Sequence, residues 1–291
     1  AAGNPGTTVT NTGILYDSVA PAFGSVLPVS NAYVNGNSAN VTFTLSEVLN
    51  AGRLTYTAQT SNGGESSGTP RQRNLSGAEL TTLTSQTIQV AGLVDGNRYD
   101  LNVTGTDLAG NAGNIGYVNI WYDVTNPGFG TVTPLAGAYV KASTRVVTFT
   151  LSEVLMSAEI KYTSNTAVGG ESVGAEHKYT LNAGELSTLT AQTKDPVNPT
   201  APIDGNTYTL TLDGTDLAGN AADTVMRADV KYDTTVPAFG SVTPLAGAYI
   251  KTDTRIVAWT NSENITAGTV TYTRTAGSAD TGSPHSVGLA G

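Results

Sequence analysis

The chain has 291 residues and no cysteine, which excludes disulfides and thiolate metal sites, so its fold must be held by its own apolar core. Hydrophobic residues make up 39% and charged residues 13%, no apolar run reaches the length of a membrane span, and abundant Thr, Gly and Asn fit an extracellular β protein. A net charge of −9 speaks against nucleic-acid or anionic-membrane partners, because no basic stripe is there to displace counterions, and it is compatible with cation binding.

Taken from the start, residues 1–20 match the end of a repeat seen later. Ala2-Gly3-Asn4 corresponds to the tail of T-D-L-A-G-N, and Ile14, Tyr16 and Asp17 correspond to Ile120, Tyr122 and Asp123. The phrases YDSVAP, YDVTNP and YDTTVP open at Tyr16, Tyr122 and Tyr232, separated by 106 and then 110 residues, which is the signature of a tandem array. Phrases in phase with them begin at Pro21, Pro127 and Pro237 and centre on Tyr33, Tyr139 and Tyr249. The expected organisation is the last strand of a preceding repeat over 1–20, complete repeats over 21–126 and 127–236, and the first half of a further repeat over 237–291. The expectation is therefore a segment of a longer chain, so that a missing signal peptide or membrane span carries no information.

Within each repeat the strand signals follow in order. Val41, Phe43 and Leu45 alternate with Thr42 and Thr44, as Val147, Phe149 and Leu151 alternate with Thr148 and Thr150, giving one buried and one wet face. The next strand places Leu54 with Tyr56, Ile160 with Tyr162 and Val270 with Tyr272, each pair two residues apart and so on one face. A D-G-N-x-Y turn precedes strands opening at Tyr99 and Tyr208, and the last strand carries Ile120 with Tyr122 or Val230 with Tyr232. Regular short strands with Gly and Asn turns at this period predict an all-β fold: tandem immunoglobulin-like Greek-key β-sandwiches of about seven strands each. Tyr99 and Tyr208 then occupy the tyrosine corner, where a hydroxyl-to-backbone hydrogen bond fixes the turn between the fifth and sixth strands.

An opening Pro with a GAYV segment, the TFTLSEVL strand, the D-G-N-x-Y turn and TDLAGN, closing on YDTTVP, together resemble the bacterial immunoglobulin-like (Big-type) tandem repeats of cell-surface adhesins and S-layer-type proteins. The resemblance covers both complete repeats and both fragments. The third copy departs from it by placing Trp259 and Asn261 where Phe149 and Leu151 stand. What the resemblance implies is a stalk or spacer role at the bacterial cell surface.

Acidic residues recur in phase at three places. Asp17, Asp123 and Asp233 lie in the linkers; Glu47, Glu153 and Glu263 follow the second strand; Asp107 and Asp216 begin the D-L-A-G-N turn. The sandwich topology brings these positions to the pole where the chain enters, at the junction with the preceding repeat. Calcium suits such a set, since it accepts six to eight hard oxygens in irregular shells, with Asn220 or Asp213 as further candidates at the second junction. The other reading is that Asp and Asn with Gly110 or Gly219 build turns without a metal, the linker acids being solvated.

The remaining polar motifs carry less. His177 and His285 fall at matching positions, with Arg71 in that place in the first repeat, and both are expected on exposed strands or loops without a carboxylate partner. No paired carboxylates, nucleophile with base or phosphate loop stands out, so no enzyme is expected. Three functional classes order themselves as a structural spacer, an adhesive or carbohydrate-binding module, and an enzyme. A related alternative is a filament subunit completed by strand exchange through residues 8–17 and 237–291. Expected partners are neighbouring repeats of the same chain and other copies of it.

Overall fold

The computed structural model describes residues 2–251 and 255–290. The first sandwich is built from β1 (Phe23–Leu27), β2 (Tyr33–Val34), β3 (Val41–Leu45), β4 (Leu49–Ala58), β5 (Pro70–Asn74), β6 (Gln86–Ile88), β7 (Asn97–Asp107) and β8 (Ala112–Tyr122). One sheet has the order β1-β3-β6 and the other β2-β8-β7-β4-β5. The second sandwich repeats this with β9 (Phe129–Thr133), β10 (Tyr139–Val140), β11 (Val147–Leu151), β12 (Leu155–Ser164), β13 (Glu176–Thr180), β14 (Gln192–Lys194), β15 (Thr207–Asp216) and β16 (Val225–Tyr232), in sheets β9-β11-β14 and β10-β16-β15-β12-β13. These are tandem immunoglobulin-like sandwiches. Each has one strand more than the seven expected, because the opening strand is broken in two. Its first part pairs antiparallel with the second-strand partner, and its two-residue remainder crosses to the other sheet and runs parallel to the last strand.

Alternation places the core. In β3 and β11 every second residue faces inward, leaving Phe43 and Phe149 fully buried between the sheets while the intervening threonines stay outside. Tyr56 meets Tyr99 edge to face with ring centroids 6.1 Å apart, and Tyr162 meets Tyr208 in the same way at 6.0 Å. Full burial of one such side chain is worth about 2 kcal/mol, so the three such aromatic residues in each sandwich are a large share of what holds it. A capped single helical turn, Ala183–Leu186, links β13 to β14, and a 3₁₀ turn, Gly77–Leu80, does so in the first sandwich.

The unit from Asp233 onward holds β17 (Phe239–Thr243) paired with β18 (Ala258–Asn261), and β19 (Ala267–Tyr272) paired with β20 (His285–Ala290). Faces that β6–β8 and β14–β16 cover in the complete sandwiches stay open here. Trp259 is accordingly half-buried and Phe239 exposed. Residues 2–20 contain no strand, and Ile14 and Tyr16 are exposed, because a lone segment has no neighbour with which to share a ladder.

Candidate cation site at the domain junctions

Each linker is tied to the following sandwich at the end of its second strand. The Ser152 hydroxyl accepts from the Gly128 N–H at 2.8 Å while the Ser152 N–H donates to the Gly128 carbonyl at 3.0 Å. Ser46 makes the same pair of bonds with Ala22, and Ser262 with Ala238. The next residue, Glu47 or Glu153, is thereby held beside its linker acid. At the first junction the approach is close, for a Cβ on Gly113 would stand 1.9 Å from the Pro21 carbonyl oxygen, so only glycine fits there.

The D-L-A-G-N turn comes up from the other side. Asp216 accepts from the Asn220 N–H at 2.8 Å and from Asn220 Nδ2 at 2.7 Å, and Gly219 closes the turn at a φ of +89°. Asn220 Nδ2 also donates to the Asp123 carbonyl in the linker at 2.9 Å. Asp107, Asn111, Gly110 and the Asp17 carbonyl repeat the arrangement in the first sandwich, the last bond being 3.1 Å. Turn chemistry is thus present at both junctions, and it is what aims the acids.

At the second junction Asp123, Glu153 and Asp216 each bring a carboxylate oxygen within 4.8 Å of the others, and Asp17, Glu47 and Asp107 do so at the first. Asp107 and Asp216 are buried, the linker acids and glutamates less so. Desolvation, followed by repulsion from Asp123 and Asp216, pushes the Glu153 carboxyl up to about 7. Desolvation and the charge of Asp216 raise Asp123 too, and Glu47 is raised by burial and then by Asp17 and Asp107. Asp107 moves the other way: burial works to raise it, but its hydrogen bonds from Asn111 prevail. The donors assembled are hard oxygens without nitrogen or sulfur, which fits calcium by chemistry. Asp213 is not part of the set; its carboxylate accepts from the Thr224 hydroxyl. At the third linker Asp233 accepts from the Thr235 N–H, and Glu263 keeps Oε1 buried without a hydrogen-bond partner. No group of three acids forms around Asp233 and Glu263 among the described residues.

Two further features are absent from the sequence reading. The first is a fourth acid at the second junction. Asp95, in the turn before Tyr99, accepts from the Val124 N–H at 2.7 Å and the Thr125 hydroxyl at 2.6 Å. It also adds to the repulsion felt by Asp123 and Glu153. The second corrects the expectation for His177. It is buried, with Nε2 3.0 Å from Glu171 and Nδ1 2.7 Å from the Thr200 carbonyl. Glu171 in turn accepts from the Tyr208 hydroxyl at 2.9 Å, while that hydroxyl accepts from the Ile203 N–H at 2.7 Å. In the first sandwich Glu65 plays the same part, paired with Arg71 and accepting from Tyr99, whose hydroxyl takes the Val94 N–H. The corner tyrosine is therefore a relay between backbone and a buried carboxylate, pushing Tyr99 up to about 12 through burial and then through Glu65. The signal was the phrase G-G-E-S, present at Gly63 and Gly169, which reads as a turn until its glutamate is seen inside. His285 keeps the expected exposure but does have an acidic neighbour, Asp280, at 2.8 Å.

No family model and no curated protein matches this chain. Among solved structures it is similar to one from a 1.5-MDa bacterial ice-binding adhesin, at 14% identity over 76% of this chain and 68% of that one, with a TM-score of 0.32. A Ca²⁺-stabilised adhesin of an ice-binding Antarctic bacterium aligns at 15% identity over 78% and 54%, with a TM-score of 0.31. The fibronectin(III)-like modules of Clostridium thermocellum CbhA align at 12% over 73% and 94%, with a TM-score of 0.34. Likeness this distant says nothing of a shared role.

Proposed function

We propose that this chain is a structural spacer of a long extracellular protein or filament at the bacterial cell surface, of the Big-type class, with calcium at its junctions. The observation that carries the spacer reading is the linker itself. Only Val124, Thr125 and Asn126 separate Asp123 from Pro127, and hydrogen bonds from both sandwiches engage the segment. So short a segment leaves little slack, and Pro127 restricts φ at the start of the next repeat. The partners of each sandwich in this reading are its chain neighbours, with lateral contacts to other copies as a further level of assembly. No catalytic role is assigned.

Calcium is supported by three carboxylates converging with no cationic side chain in the set. Asp123, Glu153 and Asp216 would hold the ion at one junction and Asp17, Glu47 and Asp107 at the other; bound there, it supplies charge neutralisation and a further link between linker and sandwich. An adhesive role has one observation in its favour, the parallel pair Tyr33 and Trp121 with centroids 6.1 Å apart on the outer sheet face. Arg98 covers Trp121 at 5.7 Å, which leaves less open ring for a ligand.

Titration calorimetry of the whole chain tests the calcium reading. It predicts two sites with dissociation constants on the order of 10⁻⁴ to 10⁻³ M, and one site after Asp123→Ala with Asp216→Ala. No calcium-dependent heat, or equal stoichiometry in both proteins, refutes it.

A further inference from the structure

In the linker between the two complete sandwiches, Asp123, Val124 and Thr125 are each held by hydrogen bonds. The Asp123 N–H donates to the Val34 carbonyl at 2.9 Å, so the first sandwich's sheet continues into the linker. The Asp123 carbonyl accepts from Asn220, and its carboxylate accepts from the Thr125 N–H at 3.0 Å. Val124 and Thr125 then both turn to one side chain, Asp95, which uses one carboxylate oxygen for each. Beyond Pro127 the Gly128–Ser152 bonds take over.

Asp95 is itself fixed from below. The Tyr99 hydroxyl holds the Val94 N–H, Asn97 Nδ2 donates to the carbonyls of Val94 and Asp95 at 3.1 Å each, and the Gly96 N–H donates to the Tyr122 carbonyl at 2.9 Å. Tyr99 ends on the buried Glu65. An unbroken hydrogen-bonded path therefore runs from the core of the first sandwich to the linker that leaves it.

We propose that Asp95 is the positioning residue of this junction: it clamps Val124 and Thr125 to the corner turn and so sets the direction in which the second sandwich leaves the first, without any cation. The clamp stands whether or not calcium binds. Asp95 stands outside the set of three carboxylates whose oxygens converge at this junction, which separates its part from that of Asp123, Glu153 and Asp216. Burial works to raise Asp95, yet the bonds from Thr125 and Val124 hold its carboxyl below the usual range, so that both of its oxygens act as acceptors.

The natural lack of cysteine allows clean spin-labelling through Gln72→Cys and Thr180→Cys, both exposed and one in each sandwich. Pulsed electron–electron distance measurements are made on the whole chain in chelator. The parent protein gives one narrow distance peak. Asp95→Ala loses two hydrogen bonds and raises the fraction outside that peak about tenfold or more. Asp95→Asn keeps the peak, since its oxygen still accepts from Val124 and its amide donates to a rotated Thr125 hydroxyl. Denaturant midpoints of both variants confirm that the sandwiches stay folded. A broad parent distribution in chelator, an unchanged Asp95→Ala distribution, or equal broadening by Ala and Asn each overturns the proposal, the last by showing that charge alone was at work.

Discussion

At the scale of single residues the corner tyrosines are the most informative. Tyr208 satisfies the Ile203 N–H and donates to Glu171, so Tyr208→Phe leaves a partly buried N–H and a carboxylate each short of a partner. The second sandwich should lose about 1–2 kcal/mol, read as a lower denaturant midpoint at an unchanged slope. Glu185 supplies the acid dependence. Burial would raise its carboxyl, but Lys194, the Asn182 N–H and Tyr179 outweigh it and hold the group at about 2, against an ordinary value of 4.5. A depressed folded-state value means that this stabilisation is fully present above the unfolded value and disappears as pH falls from about 4.5 towards 2. Glu185→Gln should flatten the acid limb of a stability-versus-pH curve in that window. The tyrosines were legible from spacing, because D-G-N-x-Y fixes both turn and strand. Their carboxylates were not, because Arg71 and His177 differ in kind and conceal that Glu65 and Glu171 do one job.

At the scale of elements, β3 and β11 could be drawn from the sequence almost residue for residue, since strict alternation has one reading in a half-buried strand. Phe149 sits at the centre of that pattern with no exposed surface and packs edge to face on Phe129 at 6.0 Å. Phe149→Ala should cost about 3–5 kcal/mol, through lost burial and the cavity left behind. Chemical denaturation checks it, and a loss below 1 kcal/mol would contradict the packing described. The break between β1 and β2 was not legible. It depends on a sheet change that only tertiary pairing reveals, the parallel register of Tyr33 with Trp121. The phase of the acids gave the junction clusters, whereas Asp95 was hidden inside a motif already explained as a turn.

At the scale of the molecule, the proposed spacer requires the repeats and their short linkers to join two sandwiches into one mechanical unit. The linker at Asp123 is fastened at the end of the second strand by Ser152 and at the D-L-A-G-N turn by Asn220, and Asp95 adds a hold from the sandwich the chain is leaving. Nitrogen-15 relaxation of the whole chain in millimolar calcium tests the spacer reading most directly. Amides of Phe23–Tyr122 and those of Phe129–Tyr232 should report a single rotational correlation time, that of a body containing both. Two shorter and separate times, each fitting an independent sandwich, would show a flexible tether and contradict a spacer.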